Sequence, residues 1–184
     1  MSFLRSLPAE SSLLAVLGRS PAAAAALLDY HEAVMRGDSP LSAAERETIA
    51  AYVSGLNACR YCHGVHEATA QAFGLSVGVL DALLEDVDAA PVDARLKPLL
   101  RYARRLTLEP ARMTQRDVDS IVEAGWSEQA VLDAAAVCGL FNLMNRLVDG
   151  AGITAPPDYV SMAGKRLRSG GYAALKAFLP SPSG

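Results

Sequence analysis

Two cysteines separated by two residues, Cys59 and Cys62, carry the most distinctive chemistry in this sequence, and His66 follows four residues after the second. On a helix, residues three apart share a face, with Cα atoms about 5 Å apart, within the range that a disulfide bridges. A helix N-terminus at the pair would stabilise a thiolate and lower its pKa. The spacing therefore predicts a redox-active pair with one unusually nucleophilic sulfur.

Helix geometry assigns a carboxylate to His66. Glu47 lies ten residues before Asn57, and His66 lies nine residues after it. If the two segments form an antiparallel helical hairpin, these positions lie about 15 Å and 13.5 Å from the turn, at nearly one level. A carboxylate that bonds an imidazole fixes its tautomer and makes it a better base. We therefore expect a proton relay from Glu47 through His66 to the cysteines.

At these residues the sequence resembles the alkylhydroperoxidase D-like proteins of the carboxymuconolactone decarboxylase superfamily, and particularly their peroxidase-related branch. The resemblance rests on Glu47, eleven intervening residues, the Cys59-Arg60-Tyr61-Cys62 segment, His66, and the segment FNLMNRLVDGAG at 141–152, and it covers roughly residues 20–155. It implies a protein with an all-helical, commonly oligomeric fold that reduces hydroperoxides through a Cys pair without haem or metal.

The resemblance also implies roles for single residues. Cys62 matches the peroxidatic cysteine, which becomes a sulfenic acid, and Cys59 matches its proton donor and resolving partner. Glu47 and His66 match the relay carboxylate and imidazole. Tyr61 departs from alkylhydroperoxidase D itself, which has a histidine just before the second cysteine. The Tyr61 hydroxyl is a candidate donor to a bound peroxide.

Other interpretations of the motif stay open at this stage. Cys59, Cys62 and His66 supply three zinc ligands and Glu47 a possible fourth, although a redox pair is favoured. The pair could also be structural and inert. The alternative functions are a carboxymuconolactone decarboxylase-like enzyme, which needs no such pair, and a non-enzymatic redox sensor or oligomeric binding module.

Three further residues of the same types receive no functional role. His63 points about 100° away from Cys62 on the helix and is expected at the surface or an interface. His31 lacks an obvious partner, and a structural role is expected for it. Cys138 lies in an apolar helical run and should be a buried, inert thiol.

Composition restricts the partners and the compartment. The chain has 184 residues, 51% of them hydrophobic, a formal net charge of −3 and three cysteines. The mixed charges give no reason to expect nucleic acid or an anionic membrane as a partner. A close Cys pair without a disulfide framework suits the cytoplasm. We expect a small-molecule hydroperoxide as substrate, a thiol reductant protein as partner, and no cofactor.

The Ala- and Leu-rich composition favours an all-α fold. Start and stop signals predict eight helices. The first four run from Pro21 to Gly37, from the N-cap Ser42 to Asn57, from Ala58 or Cys59 to Gly74, and from the N-cap Ser76 to residue 88. The fifth starts near Lys97, the sixth covers residues 115–125 after a Thr114–Asp117 capping box, the seventh runs from the N-cap Ser127 to Gly150, and the last covers residues 172–179.

These helices are expected to form one domain over residues 1–184, a multi-helix bundle. A similar capped-helix pattern in both parts of the chain suggests two related helical halves. The core is placed at about 20–155. Residues 156–184 are interpreted as a C-terminal arm at a subunit interface, with a solvated basic turn at 165–171. Apolar terminal helices favour a homo-oligomer.

Overall fold

The computed structural model describes residues 2–8 and 12–179, and capping signals and apolar periodicity produce helices from Leu13 onward. This described part of the chain contains nine α-helices and two 3₁₀ helices and no strand, which confirms the all-α prediction. The α-helices are α1 Leu13–Leu17, α2 Pro21–Arg36, α3 Ala43–Leu56, α4 Arg60–Ala72, α5 Val79–Glu85, α6 Leu96–Leu108, α7 Gln115–Glu123, α8 Glu128–Ala151 and α9 Pro157–Gly170; the 3₁₀ helices are Pro110–Arg112 and Ala173–Phe178.

The predicted helix starts are confirmed at several caps. Ser42 and Glu45 form a reciprocal capping box at α3, and Thr114 and Asp117 form another at α7. The Ser127 hydroxyl accepts a hydrogen bond from the backbone N–H of Ala130 at the start of α8. These local bonds satisfy backbone donors that the helices leave unpaired, so short sequence signals set where each helix begins.

The hairpin of α3 and α4 lies at the centre of the fold. Nine consecutive residues of α3, 46–54, are buried, so this helix is covered on all sides. Ala58 makes the turn with φ +55°, a left-handed conformation that is costly for a residue with a Cβ. The turn leads directly to Cys59, whose backbone N–H donates to Ser54 O at 3.0 Å. The predicted antiparallel hairpin is therefore present.

Some predicted boundaries are wrong. The helix predicted at residues 76–88 is the shorter helix α5 in the structure. Its N-cap is Gly78, in a left-handed conformation, and not Ser76. Helix α8 continues past Gly150 and ends at Gly152, whose φ of +68° terminates it. Helix α1 was not predicted. A helix tolerates an interior glycine, so composition alone misplaced the end of α8.

The C-terminal arm also differs from the prediction. Residues 165–171 were expected to form a solvated turn, but 165–170 belong to α9, which packs along α4. Gly164 allows this approach, since a Cβ there would lie 2.8 Å from the backbone of Ala68. The segment at 172–179 forms a 3₁₀ helix rather than an α-helix, and it packs on α2 of its own chain.

Within the described part of the chain, α8 alone has the length and apolar composition of a membrane-crossing helix. Half of its most apolar window is buried against the rest of the protein. Its buried side chains include Val137, Phe141 and Val148, which belong to the main hydrophobic core. This burial is what a central helix of a folded domain requires.

Candidate active site

The cysteine pair lies at the N-terminus of α4, as predicted. Cys59 is the N-cap residue and Cys62 lies in the first turn; both are free thiols, and their exposed fractions are 0% and 2%. The tight turn after α3 brings Cys59 to the start of α4. Its carbonyl accepts the first hydrogen bond of that helix, from the backbone N–H of His63, at 2.9 Å.

The expected lowering of a thiol pKa is wrong for Cys62. Its hydrogen bond with Cys59 and its burial raise the pKa of the Cys62 thiol, and the Asn145 amide opposes this in part. Burial removes the water that would solvate a thiolate, and this effect outweighs the favourable helix N-terminus. At rest Cys62 is therefore protonated, and its activation requires a base.

His66 and Glu47 meet as the hairpin geometry predicted. The His66 Nδ1 atom lies 2.7 Å from Glu47 Oε2. Because an ionised carboxylate only accepts hydrogen bonds, Nδ1 carries the proton and Nε2 keeps the lone pair. His66 lies one turn after Cys62 on α4 and lines the same cavity, so the imidazole and the thiol share one face of the helix.

Glu47 is buried and ionised. Burial alone would raise the pKa of its carboxyl, but His66, Arg36 and the Tyr172 hydroxyl together hold this pKa below its ordinary value. Arg36 Nη2 donates to Oε1 at 2.6 Å, and the Tyr172 hydroxyl donates to the same oxygen at 2.8 Å. Both oxygens of the carboxylate are thus occupied, and the relay has a fixed negative charge at its end.

Sequence reasoning missed Arg36 and Tyr172. Arg36 ends α2 and also donates to the carbonyl of Leu167 in α9 at 3.1 Å, so it ties three helices together. Tyr172 lies 125 positions from Glu47 along the chain, and its ring lies under the Arg36 guanidinium, 5.0 Å from ring centre to Cζ. No spacing rule connects residues this far apart, so no local signal could have identified Tyr172.

A chain of amides supports the cysteine pair from α8. The Asn145 side chain donates to Ser54 Oγ at 3.0 Å and accepts from Asn57 Nδ2 at 2.8 Å. The Asn145 amide also lowers the pKa of the Cys62 thiol and so favours the thiolate. Asn145 lies within the segment 141–152 that the family resemblance quoted, yet its role was not predicted.

Cys62 and His66 face a narrow, mostly apolar cavity of about 80 Å³. Its walls come from α1, α2, α4, α8, α9 and the C-terminal 3₁₀ segment. Leucines, methionines and aromatic rings form most of the lining, and the polar groups are few: His31, Tyr61, Cys62, His66, Tyr159, Arg166 and Tyr172. Apolar walls with a few placed polar groups are typical of a small-molecule site.

Tyr61 lies on the wall of this cavity, and its hydroxyl is 2.9 Å from the hydroxyl of Tyr159 in α9. Burial, together with Tyr159, raises the pKa of the Tyr61 phenol well above its ordinary value. The group is therefore a neutral hydrogen-bonding hydroxyl, unsuited to act as a base.

The remaining sequence candidates lie in different surroundings. His63 is half-buried beside α3 and bonds the carbonyl of Ala51 at 2.9 Å, outside the cavity. Cys138 is buried against Thr107, at 3.2 Å, and burial raises the pKa of its thiol. His31, by contrast, was expected to be merely structural, yet it lines the cavity beside His66.

In the part of the chain that the structure describes, no three His, Cys, Asp or Glu side chains are grouped as a metal site would require. Glu47, the fourth ligand in the zinc interpretation, already bonds Arg36, His66 and Tyr172. The geometry of these residues does not support the zinc site.

Comparisons with known proteins agree with this fold. Residues 21–105 match the sequence model of the carboxymuconolactone decarboxylase family. An uncharacterised peroxidase-related protein from Silicibacter sp. TM1040 is similar over 80% of this chain and 78% of its own, with 28% identity and a TM-score of 0.75. The family match over residues 21–105 and the fold shared with these peroxidase-related proteins support the alkylhydroperoxidase D-like, carboxymuconolactone decarboxylase superfamily that the resemblance predicted.

Two further structures show how varied this fold is. An uncharacterised peroxidase-related protein with an alkylhydroperoxidase core, from Ralstonia eutropha JMP134, is 26% identical over 80% of this chain and 77% of its own, with a TM-score of 0.73. The debrominase Bmp8, solved as its C82A variant with 2,3,4-tribromopyrrole, shares the fold at 18% identity over 82% and 81%, with a TM-score of 0.67. No curated protein sequence matches the chain. The same fold therefore occurs in peroxidase-related proteins and in a debrominase.

Proposed function

We propose that this protein is a thiol-dependent peroxidase that reduces hydroperoxides through Cys62 and Cys59. The observation that carries the proposal is the 2.7 Å bond between Glu47 and His66 on a cavity wall that Cys62 shares. A protonated, buried thiol is a poor nucleophile, and an oriented imidazole beside it is what activation requires.

The first step consumes one hydroperoxide. Cys62 gives its proton to His66 Nε2, and the sulfur attacks the terminal oxygen of the peroxide. An S–O bond forms as the O–O bond breaks, and the leaving alkoxide takes the proton from His66. The sulfur is oxidised to a sulfenic acid and the hydroperoxide is reduced to an alcohol.

The second step uses Cys59. Its thiol attacks the Cys62 sulfenic acid, a disulfide forms, and water leaves. The position of Cys59 at the N-cap and of Cys62 in the following turn supports this closure. A thiol reductant, which we propose is a dithiol protein, then restores both thiols. This requirement favours the cytoplasm as the compartment.

The cavity favours small organic hydroperoxides over hydrogen peroxide. The mostly apolar walls of this cavity of about 80 Å³ suit a hydroperoxide that carries a small alkyl group. Hydrogen peroxide would place its second O–H against apolar walls, which costs free energy unless that group finds a partner. We expect a preference of roughly 10- to 100-fold for tert-butyl hydroperoxide.

Steady-state consumption of tert-butyl hydroperoxide with excess dithiothreitol tests the proposal. Cys62→Ser should reduce the rate to the uncatalysed background, and the matched control Cys138→Ser should keep the wild-type rate, since Cys138 lies outside the cavity. Turnover that survives in Cys62→Ser would contradict the proposal. A single oxidation without turnover would favour the redox sensor.

The remaining alternatives differ in support. A lactone decarboxylase would have to hold a carboxylate-bearing substrate, and among the described lining residues Arg166 is the only Lys or Arg.

Self-association stays a prediction, and its original reason changes because the terminal 3₁₀ helix packs on its own chain. Leu132, Leu143 and Leu147 expose apolar surface on α8 instead. Sedimentation analysis measures the oligomeric state.

A further inference from the structure

His31 is a buried histidine in the cavity that the Cys62 mechanism leaves unused. It lies on α2 with 4% of its surface exposed, and it lines the same cavity as Cys62 and His66. Its ring packs against two aromatic rings, with centroids 6.2 Å from Phe141 and 5.2 Å from Tyr172. These contacts limit rotation of the ring.

The tautomer of His31 follows from its backbone partner. Nδ1 lies 2.9 Å from the carbonyl oxygen of Leu27, one turn earlier on α2. A carbonyl only accepts hydrogen bonds, so Nδ1 carries the proton and Nε2 holds a lone pair. Within the described residues Nε2 bonds no protein atom. Burial lowers the pKa of the ring to about 4, so Nε2 remains an acceptor at neutral pH.

A hydroperoxide has the group that such an acceptor needs. Its single O–H lies on the terminal oxygen, which is the oxygen that a cysteine sulfur attacks. Among the other polar lining groups, the Arg166 guanidinium only donates, the Cys62 thiol and the His66 imidazole belong to the relay, and the tyrosine hydroxyls offer a phenolic oxygen, which is a weaker acceptor than an imidazole nitrogen. A buried O–H without a partner is costly, so the peroxide proton should select the free acceptor.

We propose that His31 Nε2 accepts a hydrogen bond from the peroxide O–H and orients the terminal oxygen toward Cys62. The alkyl group then lies along the apolar walls formed by α1 and α9. His31 makes this contact before and during attack and exchanges no proton with the substrate. The inference rests on the proposed peroxidase function and adds a substrate-binding residue to it.

Two variants and a matched control test this role. His31→Leu removes the acceptor, and His31→Gln restores one. His63→Leu is the control, because His63 is half-buried and also bonds a backbone carbonyl through Nδ1, but it lies outside the cavity. Each variant is measured for kcat/KM with tert-butyl hydroperoxide and for the rate of Cys62 alkylation by iodoacetamide.

We expect His31→Leu to lower kcat/KM by roughly 5- to 100-fold with the alkylation rate unchanged, His31→Gln to recover part of the loss, and His63→Leu to match the wild type. If His31→Leu keeps the wild-type kcat/KM, or if the rate of Cys62 alkylation falls together with kcat/KM, the proposed role of His31 is wrong and the peroxidase proposal is unaffected. Absence of turnover in the wild type would overturn the peroxidase proposal as well.

Discussion

The α3–α4 hairpin and the C-terminal segment 157–179 contribute to the site in different ways. The hairpin supplies Glu47, Cys59, Cys62 and His66 from within twenty residues of sequence. The C-terminal segment supplies Tyr172 and much of the cavity wall from more than a hundred residues away. The reacting groups thus come from a local sequence motif. The residues around them, which influence their protonation, come from a part of the chain that is distant in sequence.

The largest effect should come from the hairpin carboxylate. Glu47→Gln removes the charge that orients His66 and leaves the Arg36 guanidinium unpaired. We expect alkylation of Cys62 to slow by about 10²-fold and the free energy of unfolding to fall by about 3–5 kcal/mol. Alkylation rates across pH and chemical denaturation measure both, with the exposed Glu123→Gln as control. Unchanged thiol reactivity across pH would refute the relay.

The same carboxylate gives a pH dependence of stability. The folded-state pKa of Glu47 lies below its ordinary 4.5, so its contribution is complete above about pH 4.5 and is lost as pH falls through the folded value. Glu47→Gln should lack this acid-dependent loss. Equal acid sensitivity in both proteins would show that other carboxyls dominate.

His31 should act in a higher pH window. The pKa of its ring falls from 6.5 in the unfolded chain to about 4 in the folded protein, so the unfolded state binds the additional proton between these values. Stability should fall by up to about 3 kcal/mol as pH drops from 6.5 to 4. His31→Leu should flatten this part of the curve, which denaturation at several pH values measures. An unchanged slope would contradict a neutral, buried ring.

A smaller effect should separate the C-terminal segment from the hairpin. Gly171 has φ +64° and ψ −160°, a conformation nearly restricted to glycine, and a Cβ there would lie 2.5 Å from Glu32 Oε2. That carboxylate accepts the backbone N–H groups of Tyr172 and Ala173. Gly171→Ala should cost about 1–3 kcal/mol and increase proteolysis after residue 170.

Gly170→Ala is the matched control, since its added Cβ would meet only Ala174 at an ordinary 3.7 Å. It should match the wild type or exceed its stability slightly. Equal behaviour of the two alanine variants would mean that the Glu32 contacts do not hold the segment in place.

The smallest effect should come from Tyr172→Phe, which keeps the ring and removes the donor to Glu47 Oε1. We expect a loss of about 1 kcal/mol in stability and a few-fold slower alkylation of Cys62, because Arg36 and His66 still bond the carboxylate. Thermal unfolding and alkylation measure it beside the half-exposed Tyr30→Phe. A loss as large as that of Glu47→Gln would give the C-terminal segment a larger role.

The comparison also explains what the sequence could reveal. Capping boxes at Ser42 and Thr114, and the ten- and nine-residue distances from Asn57, depend on helix geometry alone, so the helix starts and the Glu47–His66 bond were predictable. Tyr172 depends on how α9 returns along α4, which no local pattern encodes. The raised pKa of Cys62 likewise depends on burial from several helices.

His31 shows the same limit from another side. Its helix and its burial were accessible from the apolar run before it, but its place in the cavity depends on α8 and the C-terminal segment. Helix α9 was not predicted, although Pro157 is a favourable first residue of a helix.

Mass spectrometry after treatment with one equivalent of tert-butyl hydroperoxide tests the central claim most directly. The wild type should lose two hydrogens and give a Cys59–Cys62 disulfide, and Cys59→Ala should gain one oxygen as a sulfenic acid that dimedone traps on Cys62. Oxidation that spares Cys62, or that falls equally on Cys138, would contradict the account.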